Sequence, residues 1–537
     1  MPRPGARSGA RIALVRHALR QERVRLGVFA AIVALYTAAN VVGYRDTYPT
    51  QAQRDRFAAA FGENVALRLF YGLPHDLSTV AGYVEFRVVG ILSVVLAAWA
   101  VFAAVRALRG EEDAGRFELV LAGPLQRGEA TAAVLTALAV ECVALWAAAA
   151  CALVATGTAF GDISLGQSLL IGIAIAAPAV LFAAVGALVC QIAPTHRSAQ
   201  ALGGALVALF LLLRIVADLV DGARDLRWVT PLGWAGEVRP VTGSRPEVLL
   251  LFAVAAAAAA WATIAVARHR DVATGLVGGG RAPRSHGRLL RSPLQAAIRG
   301  EAPTLLTWIA GGGLFAGLIG GFSKNIAEEA RKANLHSTLG TDYTTPGGYL
   351  ALTFVFFALV VALFAASHLN GIRDEEGSGR LETLLSLPVG RTRWLAGRVG
   401  IAAVASVVLA LLTGILAWAG AATQDAGVGL GSLAGAGANC IPAALLFLGL
   451  GTLLFAVAPR QSAGAAMALV GASFLWELVG AVVGAPSWAL ALSPFHHVAA
   501  VPVARFDTTG AAIMLALGVG SAAAGLAVFT RRDLQTS

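Results

Sequence analysis

Long apolar runs alternate with short polar segments along the whole chain. Each run has the length of about 18 or more residues that an α-helix needs to cross a bilayer. The runs are too long and too continuously apolar for barrel strands, the other structure that can span lipid. The pattern therefore predicts an all-α polytopic membrane protein. The predicted spans are approximately 27–44, 86–108, 129–155, 167–190, 200–220 and 248–268, then 302–321, 348–370, 397–421, 435–458, 465–484 and 509–530.

One polar stretch occurs twice in this pattern. Residues 109–127 (RGEEDAGRFELVLAGPLQR) and 373–391 (RDEEGSGRLETLLSLPVGR) are identical at nine of nineteen positions, at a constant offset of 264. Each copy follows the second predicted span of its half, which indicates two copies of one module. The sequence thus predicts about 12 helices in two parallel six-helix repeats. The domains are a first transmembrane domain (1–268, a surface helix plus six spans), a linker with a second surface helix (269–300), and a second transmembrane domain (301–537).

Weaker echoes of the repeat follow the fourth span of each half. Ala-Pro with a serine four residues beyond the proline occurs at Pro194 and Ser198, and an Ala-Pro with a nearby serine recurs at Pro459 and Ser462. The Arg-rich segment 1–26 has apolar residues at helical spacing, which predicts an amphipathic helix lying in the membrane surface before the first span.

Composition and charge agree with this class of protein. The chain of 537 residues is 57% apolar and only 13% charged, whereas soluble domains carry about 25% charged residues. The net charge of +10 does not indicate nucleic-acid binding, because the basic residues lie in short segments between apolar runs. Most of the 41 Lys and Arg residues fall on the cytoplasmic side if both termini are cytoplasmic, as the positive-inside rule requires. We therefore expect a multi-pass protein of the plasma membrane, with the bacterial inner membrane as its location.

The repeated stretch has the pattern of a short amphipathic helix. Arg109 with Glu112 and Glu112 with Arg116 have the spacing of helical ion pairs. A proline ends the predicted helix in each copy, at Pro124 and Pro388. A glycine at the same interior position of both helices is costly, which predicts close approach of another backbone. The apolar positions are Phe117, Val120 and Leu121, and Leu381, Leu384 and Leu385.

Two interpretations of the polar face remain open from the residues alone. The helices either pack on their own bundles with solvated charges, or form two matching docking surfaces for a soluble partner. Conservation of the polar residues between the two copies favours docking. The predicted contact residues are Glu111, Glu112, Gly115, Arg116, Glu118, Pro124 and Arg127 in the first copy, and Glu375, Glu376, Gly379, Arg380, Glu382, Pro388 and Arg391 in the second.

The motif E-x-x-x-G-R-x-E-x-L-L-x-x-P-x-x-R after a second span resembles the permeases of ABC-2-type exporters. The two-half length looks most like the fused permeases of actinobacterial polyketide-antibiotic and multidrug exporters. This resemblance implies that the repeated stretches are coupling helices, which contact two copies of a separate ABC ATPase. It also implies export of a hydrophobic or amphipathic, drug-like compound. The second copy fits the motif better, because Val120 stands where the motif has its first leucine.

No G-x-x-x-x-G-K-[ST] phosphate-binding loop occurs in the sequence, so we expect the partner to bind ATP and Mg²⁺. We predict no catalytic residues, no metal site and no cofactor bound by this chain itself. The alternative is an ion-coupled secondary transporter with two six-helix halves. A membrane-embedded enzyme is a further alternative, but the sequence shows no catalytic cluster for it. A non-transporting membrane scaffold is another alternative.

Two acidic residues lie at membrane depth, Glu141 in the third span and Glu477 in the eleventh. Such residues usually face the bundle interior, and they are candidates for the substrate path. The structural alternative is an interhelical hydrogen bond, or an ion pair with Arg87 or Arg214.

We predict that the external segment 46–84 forms a surface helix. We interpret His496 and its neighbour as loop residues, and the four cysteines as small core residues.

Overall fold

The computed structural model describes residues 4–62, 67–68, 71–158, 162–219, 222–269, 293–332, 344–377, 379–386, 388, 390–482 and 486–534. These residues form helices and loops and contain no β-strand. The chain divides into two compact units, Met1–Arg284 and Ser285–Ser537. The division falls in the stretch 269–300 that the sequence analysis assigned to the linker, most of which lies outside the described residues.

The described residues of the first unit form six long helices and three short ones. A 3₁₀ turn covers Arg224–Trp228. Three π-helical segments interrupt the long helices, at Glu85–Val89, Arg106–Gly110 and Val154–Thr158. The helices are α1 (Pro4–Thr47), α2 (Gln51–Phe61), α3 (Val80–Asp113), α4 (Arg116–Leu121), α5 (Arg127–Thr158), α6 (Leu165–Ile192), α7 (His196–Leu219), α8 (Pro231–Glu237) and α9 (Val248–His269).

The described helices of the second unit follow a similar order, but no short helix lies between the first two long ones, and the fourth long helix is divided into Leu430–Asn439 and Ile441–Val457. A 3₁₀ turn covers Pro494–His497. The helices are α10 (Pro293–Lys332), α11 (Pro346–Gly377), α12 (Arg380–Leu385), α13 (Arg391–Ala422), α14 (Leu430–Asn439), α15 (Ile441–Val457), α16 (Ser462–Val482), α17 (Ser487–Leu490) and α18 (Thr508–Arg531).

Eleven helical stretches of the described chain are long and apolar enough to cross a membrane. They correspond to eleven of the twelve predicted spans, and α14 and α15 together form one of them. The remaining prediction, 465–484, lies largely in α16 and extends beyond the described residues. Large apolar side chains such as Leu250, Trp261 and Val519 are exposed on these helices, as expected where lipid is the solvent. The prediction of an all-α polytopic membrane protein is confirmed.

The surface helix predicted at 1–26 is not separate from the first span. Residues 4–47 form one continuous helix, about 65 Å long at 1.5 Å per residue. No proline lies between the two predicted elements, and Gly27 alone does not interrupt the helix. Helix α10 is similarly continuous from Pro293 through the seventh span.

The external segment forms the predicted helix, α2, although residues 63–66 and 69–70 lie outside the described chain. Aromatic rings anchor it to the end of α1. The Tyr44 ring stacks on the Tyr83 ring at 4.1 Å and lies 5.5 Å from the Phe57 ring.

Among the cysteines, Cys151 is exposed, which corrects the core prediction for that residue. An apolar position on a spanning helix can face lipid instead of protein.

Close helix packing in the second unit depends on small residues. A Cβ atom on Gly320 of α10 would lie 1.9 Å from the Ala417 carbonyl oxygen of α13, and one on Gly420 would lie 1.9 Å from the Gly317 oxygen. Glycine therefore lets these two backbones meet, as small residues do at helix interfaces within membranes.

Candidate coupling sites

The two copies of the repeated stretch have the same backbone path. In each copy a long helix ends, a glycine turns the chain, and a six-residue helix follows, either α4 or α12. The glycines Gly115 and Gly379 have φ angles of +72° and +71°, in the left-handed region that favours glycine. The next long helices begin at Arg127 and Arg391, again 264 residues apart.

The predicted position of these glycines in the interior of a helix was wrong. The stretch is not one continuous helix, and a Cβ atom at Gly115 or Gly379 would meet no described atom within 4 Å. Glycine is favoured by the left-handed turn and not by close approach of a neighbouring backbone within this chain. The helical ends before Pro124 and Pro388 are confirmed, since α4 ends at Leu121 and α12 at Leu385.

Each short helix is anchored by one apolar side chain at its second position. Phe117 is 4% exposed and Leu381 is completely buried. One residue later, Glu118 and Glu382 are exposed at equivalent positions. The predicted amphipathic character is therefore confirmed, and each copy presents an acidic side chain on the outer face of its short helix.

Charges bind the first turn to its own bundle. Arg109 is completely buried; its guanidinium donates to the Glu112 carboxylate and to the Pro194 carbonyl oxygen, as the sequence spacing predicted for the first of these pairs. The Arg109 Nε atom lies 3.6 Å from an Asp113 carboxylate oxygen. The other Asp113 oxygen accepts a 2.7 Å hydrogen bond from the His196 backbone N–H at the start of α7. The repeated Ala-Pro motif thus has a structural role in the first half, because its Pro194 carbonyl oxygen accepts a hydrogen bond from Arg109.

The second predicted pair, Glu112 with Arg116, does not form. Arg116 instead makes a bidentate pair with Glu111, at 2.7 and 2.8 Å. The left-handed Gly115 lies between positions 112 and 116, so these residues no longer share one helical register. The hydrogen bond to the Glu111 carboxylate raises the pKa of the Arg116 guanidinium above its ordinary value.

The second turn is fixed by different partners. Glu376 is 2% exposed and pairs with Arg532, just beyond the end of α18, at 2.8 Å. Arg391 donates a 2.6 Å hydrogen bond to the Arg532 carbonyl oxygen. Glu375 pairs with Arg398 on α13, and its carboxylate accepts a 3.3 Å hydrogen bond from the Trp394 indole.

Both turns lie beside a chain terminus of their own unit. Arg11 near the start of α1 pairs with Glu129 in the first turn of α5, directly after the first repeated stretch. In the second unit the contact between Arg532 and Glu376 places the C-terminal end of the chain against the second turn. Both turns therefore lie on the side of the membrane where we predict the termini to be.

The two acids at membrane depth have different surroundings. Glu477 lies 3.2 Å from the ring Nδ1 atom of His496, a contact that the loop interpretation of this histidine missed. Glu141 is 2% exposed and lines a cavity. Neither acid pairs with the predicted arginines. Arg87 donates to the Tyr83 hydroxyl at 2.6 Å, and the Arg214 Nε atom lies 3.5 Å from Asp218.

A buried ionic network at the other end of the first unit was not predicted. Arg227 pairs with Asp218 at 2.8 Å and with Glu237 at 3.5 Å. Glu237 also pairs with Arg239 at 2.8 Å, and Glu85 contacts His75 at 3.1 Å. These acids lie near helix ends, where the sequence resembles an ordinary polar loop. The approach of distant segments that buries them is a property of the fold.

The eleven long apolar helices of the described residues define a multi-pass membrane protein. The family described as "multidrug efflux system permease Rv1217c, C-terminal domain" matches residues 54–268 and 290–530. The chain is also 30% identical to the multidrug efflux system permease protein Rv1217c of Mycobacterium tuberculosis (strain ATCC 25618 / H37Rv), over 99% of this chain and 97% of the relative. The chain belongs to this family of multidrug efflux permeases.

Proposed function

We propose that this chain is the permease subunit of an ATP-driven ABC exporter in the bacterial inner membrane. Both transmembrane halves are contained in one chain, and two copies of a separate ATPase supply ATP binding and hydrolysis with Mg²⁺. The observation that carries the proposal is the shared geometry of the two turns. Each turn presents an exposed glutamate, Glu118 or Glu382, on a short helix beside a chain terminus.

The internal contacts of the turns suit them to transmit force. Each ATPase copy contacts the outer face of one short helix, α4 or α12. Closure of the ATPase dimer then moves both short helices at the same time. In the first unit this movement reaches the loop before α7 through Arg109, whose guanidinium donates to the Pro194 carbonyl oxygen. It reaches the start of α7 through Asp113, whose carboxylate accepts a hydrogen bond from the His196 backbone N–H. In the second unit it reaches α13 and α18 through Glu375 and Glu376.

The cargo proposed for this permease is a hydrophobic or amphipathic, drug-like compound that is moved out of the cell. Two features support it: the membership of the multidrug efflux family, and a cavity in the first unit that is wide enough for a small molecule. The first observation to make is whether a neighbouring reading frame encodes an ABC ATPase with a phosphate-binding loop.

The direct test reverses the exposed charges in both turns. The double variant Glu118→Lys, Glu382→Lys should lose co-purification with the ATPase and ATP-dependent dye uptake into inverted vesicles, whose cytoplasmic face points outward. Its fold should be unaffected, because surface substitutions usually change stability by no more than about 0.5 kcal/mol. The matched control is Asp225→Lys with Glu247→Lys, two exposed acids of segments predicted to be external.

The control variant should bind the ATPase and export dye as the unchanged protein does. The proposal fails if the double variant in the turns retains both activities. Efflux that needs no ATPase and stops when the proton or sodium gradient is collapsed would instead establish the secondary transporter.

A further inference from the structure

A half-open cavity of about 570 Å³ lies in the first unit, and residues of the first turn line one side of it. Helices α1, α3, α4 and α5 contribute its walls, so it borders the proposed coupling helix. Its volume is within the range of ~300–1,000 Å³ that small-molecule sites occupy. Apolar side chains such as Leu14, Phe117, Val134 and Leu138 form much of the wall, which suits a ligand with an apolar body.

Most charges around the cavity are already paired. Glu22 accepts hydrogen bonds from Arg25 at 2.8 Å and from Arg106 at 3.4 Å. Glu111 forms the bidentate pair with Arg116. Three arginines thus match three glutamates in formal charge. However, the side chains of Arg25 and Arg116 are 61% and 57% exposed, so solvent screens them.

Glu141 differs from the other acids of the cavity. It is 2% exposed, and one of its carboxylate oxygens is buried with no hydrogen-bond partner among the described residues. A buried carboxylate without a partner is costly unless a proton or another cation neutralises it. The cavity supplies room for such a cation beside apolar walls.

We infer that this cavity binds an organic monocation with an apolar body, and that Glu141 is its counter-ion. The site belongs to the first half alone, because the position 264 residues later is the buried Ala405. Access at the level of the first turn would let the ligand enter from the predicted cytoplasmic side. The inference rests on the proposed export function and deepens it by naming the charge class of the cargo.

The test measures binding to the purified full chain in phosphatidylglycerol nanodiscs without any ATPase. The probe is radiolabelled tetraphenylphosphonium in equilibrium dialysis, with empty nanodiscs as background and the similarly shaped anion tetraphenylborate for comparison. We expect Glu141→Gln to weaken tetraphenylphosphonium binding by roughly 30-fold or more, the low end of the loss when one partner of a buried charge pair is removed. Glu141→Asp keeps the charge and should retain most of the binding.

Glu85→Gln is the matched control, since it removes another buried acid of the first unit that does not line the cavity, and it should bind the probe normally. Unchanged binding in Glu141→Gln overturns the inference, as does an equal loss in Glu85→Gln. Tetraphenylborate binding as tight as that of the cation also overturns it. Because no ATPase is present, a failure here leaves the coupling proposal standing, and loss of coupling leaves this site standing.

Discussion

The two turns share a backbone but not the charges that hold them. In the first turn the buried ion is Arg109, whereas its counterpart Arg373 is exposed. In the second turn the buried ion is Glu376, which pairs with Arg532 near the C-terminal end of the chain. The repeat therefore preserves the shape and the exposed acid of the turn, and each half secures that shape by its own contacts.

A local difference in helix geometry explains why Arg109 is buried and its counterpart Arg373 is exposed. The end of α3 is a π-helical segment, Arg106–Gly110, whereas the same region of α11 is a regular α-helix. A π turn bonds residue i to i+5 and so holds an extra residue. Leu108 and Arg109 are consequently both buried, while in α11 Ile372 is buried and Arg373 faces outward.

The largest expected difference between the turns is in stability. Arg109→Ala should lower the free energy of unfolding by about 3–5 kcal/mol, because it removes a completely buried guanidinium that pairs with Glu112 and donates to the Pro194 carbonyl oxygen. Arg373→Ala at the matching position should change it by no more than about 0.5 kcal/mol. Thermal denaturation of the purified variants in one detergent measures both.

Equal losses of stability in the two variants would contradict the claim that an arginine at this position stabilises the first turn and not the second. A large loss in Arg373→Ala alone would reverse the comparison between the halves.

A smaller and equal effect is expected at the glycines. Gly115→Ala and Gly379→Ala should each cost about 1–2 kcal/mol, the penalty for an L-residue in the left-handed region. The two values should agree, since neither new methyl group meets a described atom within 4 Å. Gly390→Ala is the control, because its φ of −69° is ordinary and its surroundings are also open. A difference of more than about 1 kcal/mol between the two turns would show that their backbones are not equivalent.

The sequence predicted what periodicity and duplication can encode. Apolar runs located the spans, and the nine shared residues located the turns with their ends at Pro124 and Pro388. The left-handed glycines were misinterpreted, because a glycine has no side chain to reveal whether it serves packing or a positive φ. Burial of Arg109 was equally hidden, since it depends on a π segment that the amino-acid pattern of α3 does not mark.

Partners distant in sequence were the other limit of prediction. Glu376 and Arg532 are 156 residues apart, as are Glu85 and Val241, whose backbone N–H donates to the Glu85 carboxylate at 3.0 Å. Such pairs follow from helix packing and not from local spacing. The unpartnered state of Glu141 also required the structure, although its depth in the third span marked it as a candidate.

The central claim is that each turn docks one ATPase copy, and the mass of the assembled complex tests it most directly. Native mass spectrometry of the permease with its ATPase should find two ATPase copies per chain. Glu118→Lys or Glu382→Lys alone should leave one copy, and the double variant none. One copy on the unchanged chain, or two copies on the double variant, would contradict the claim.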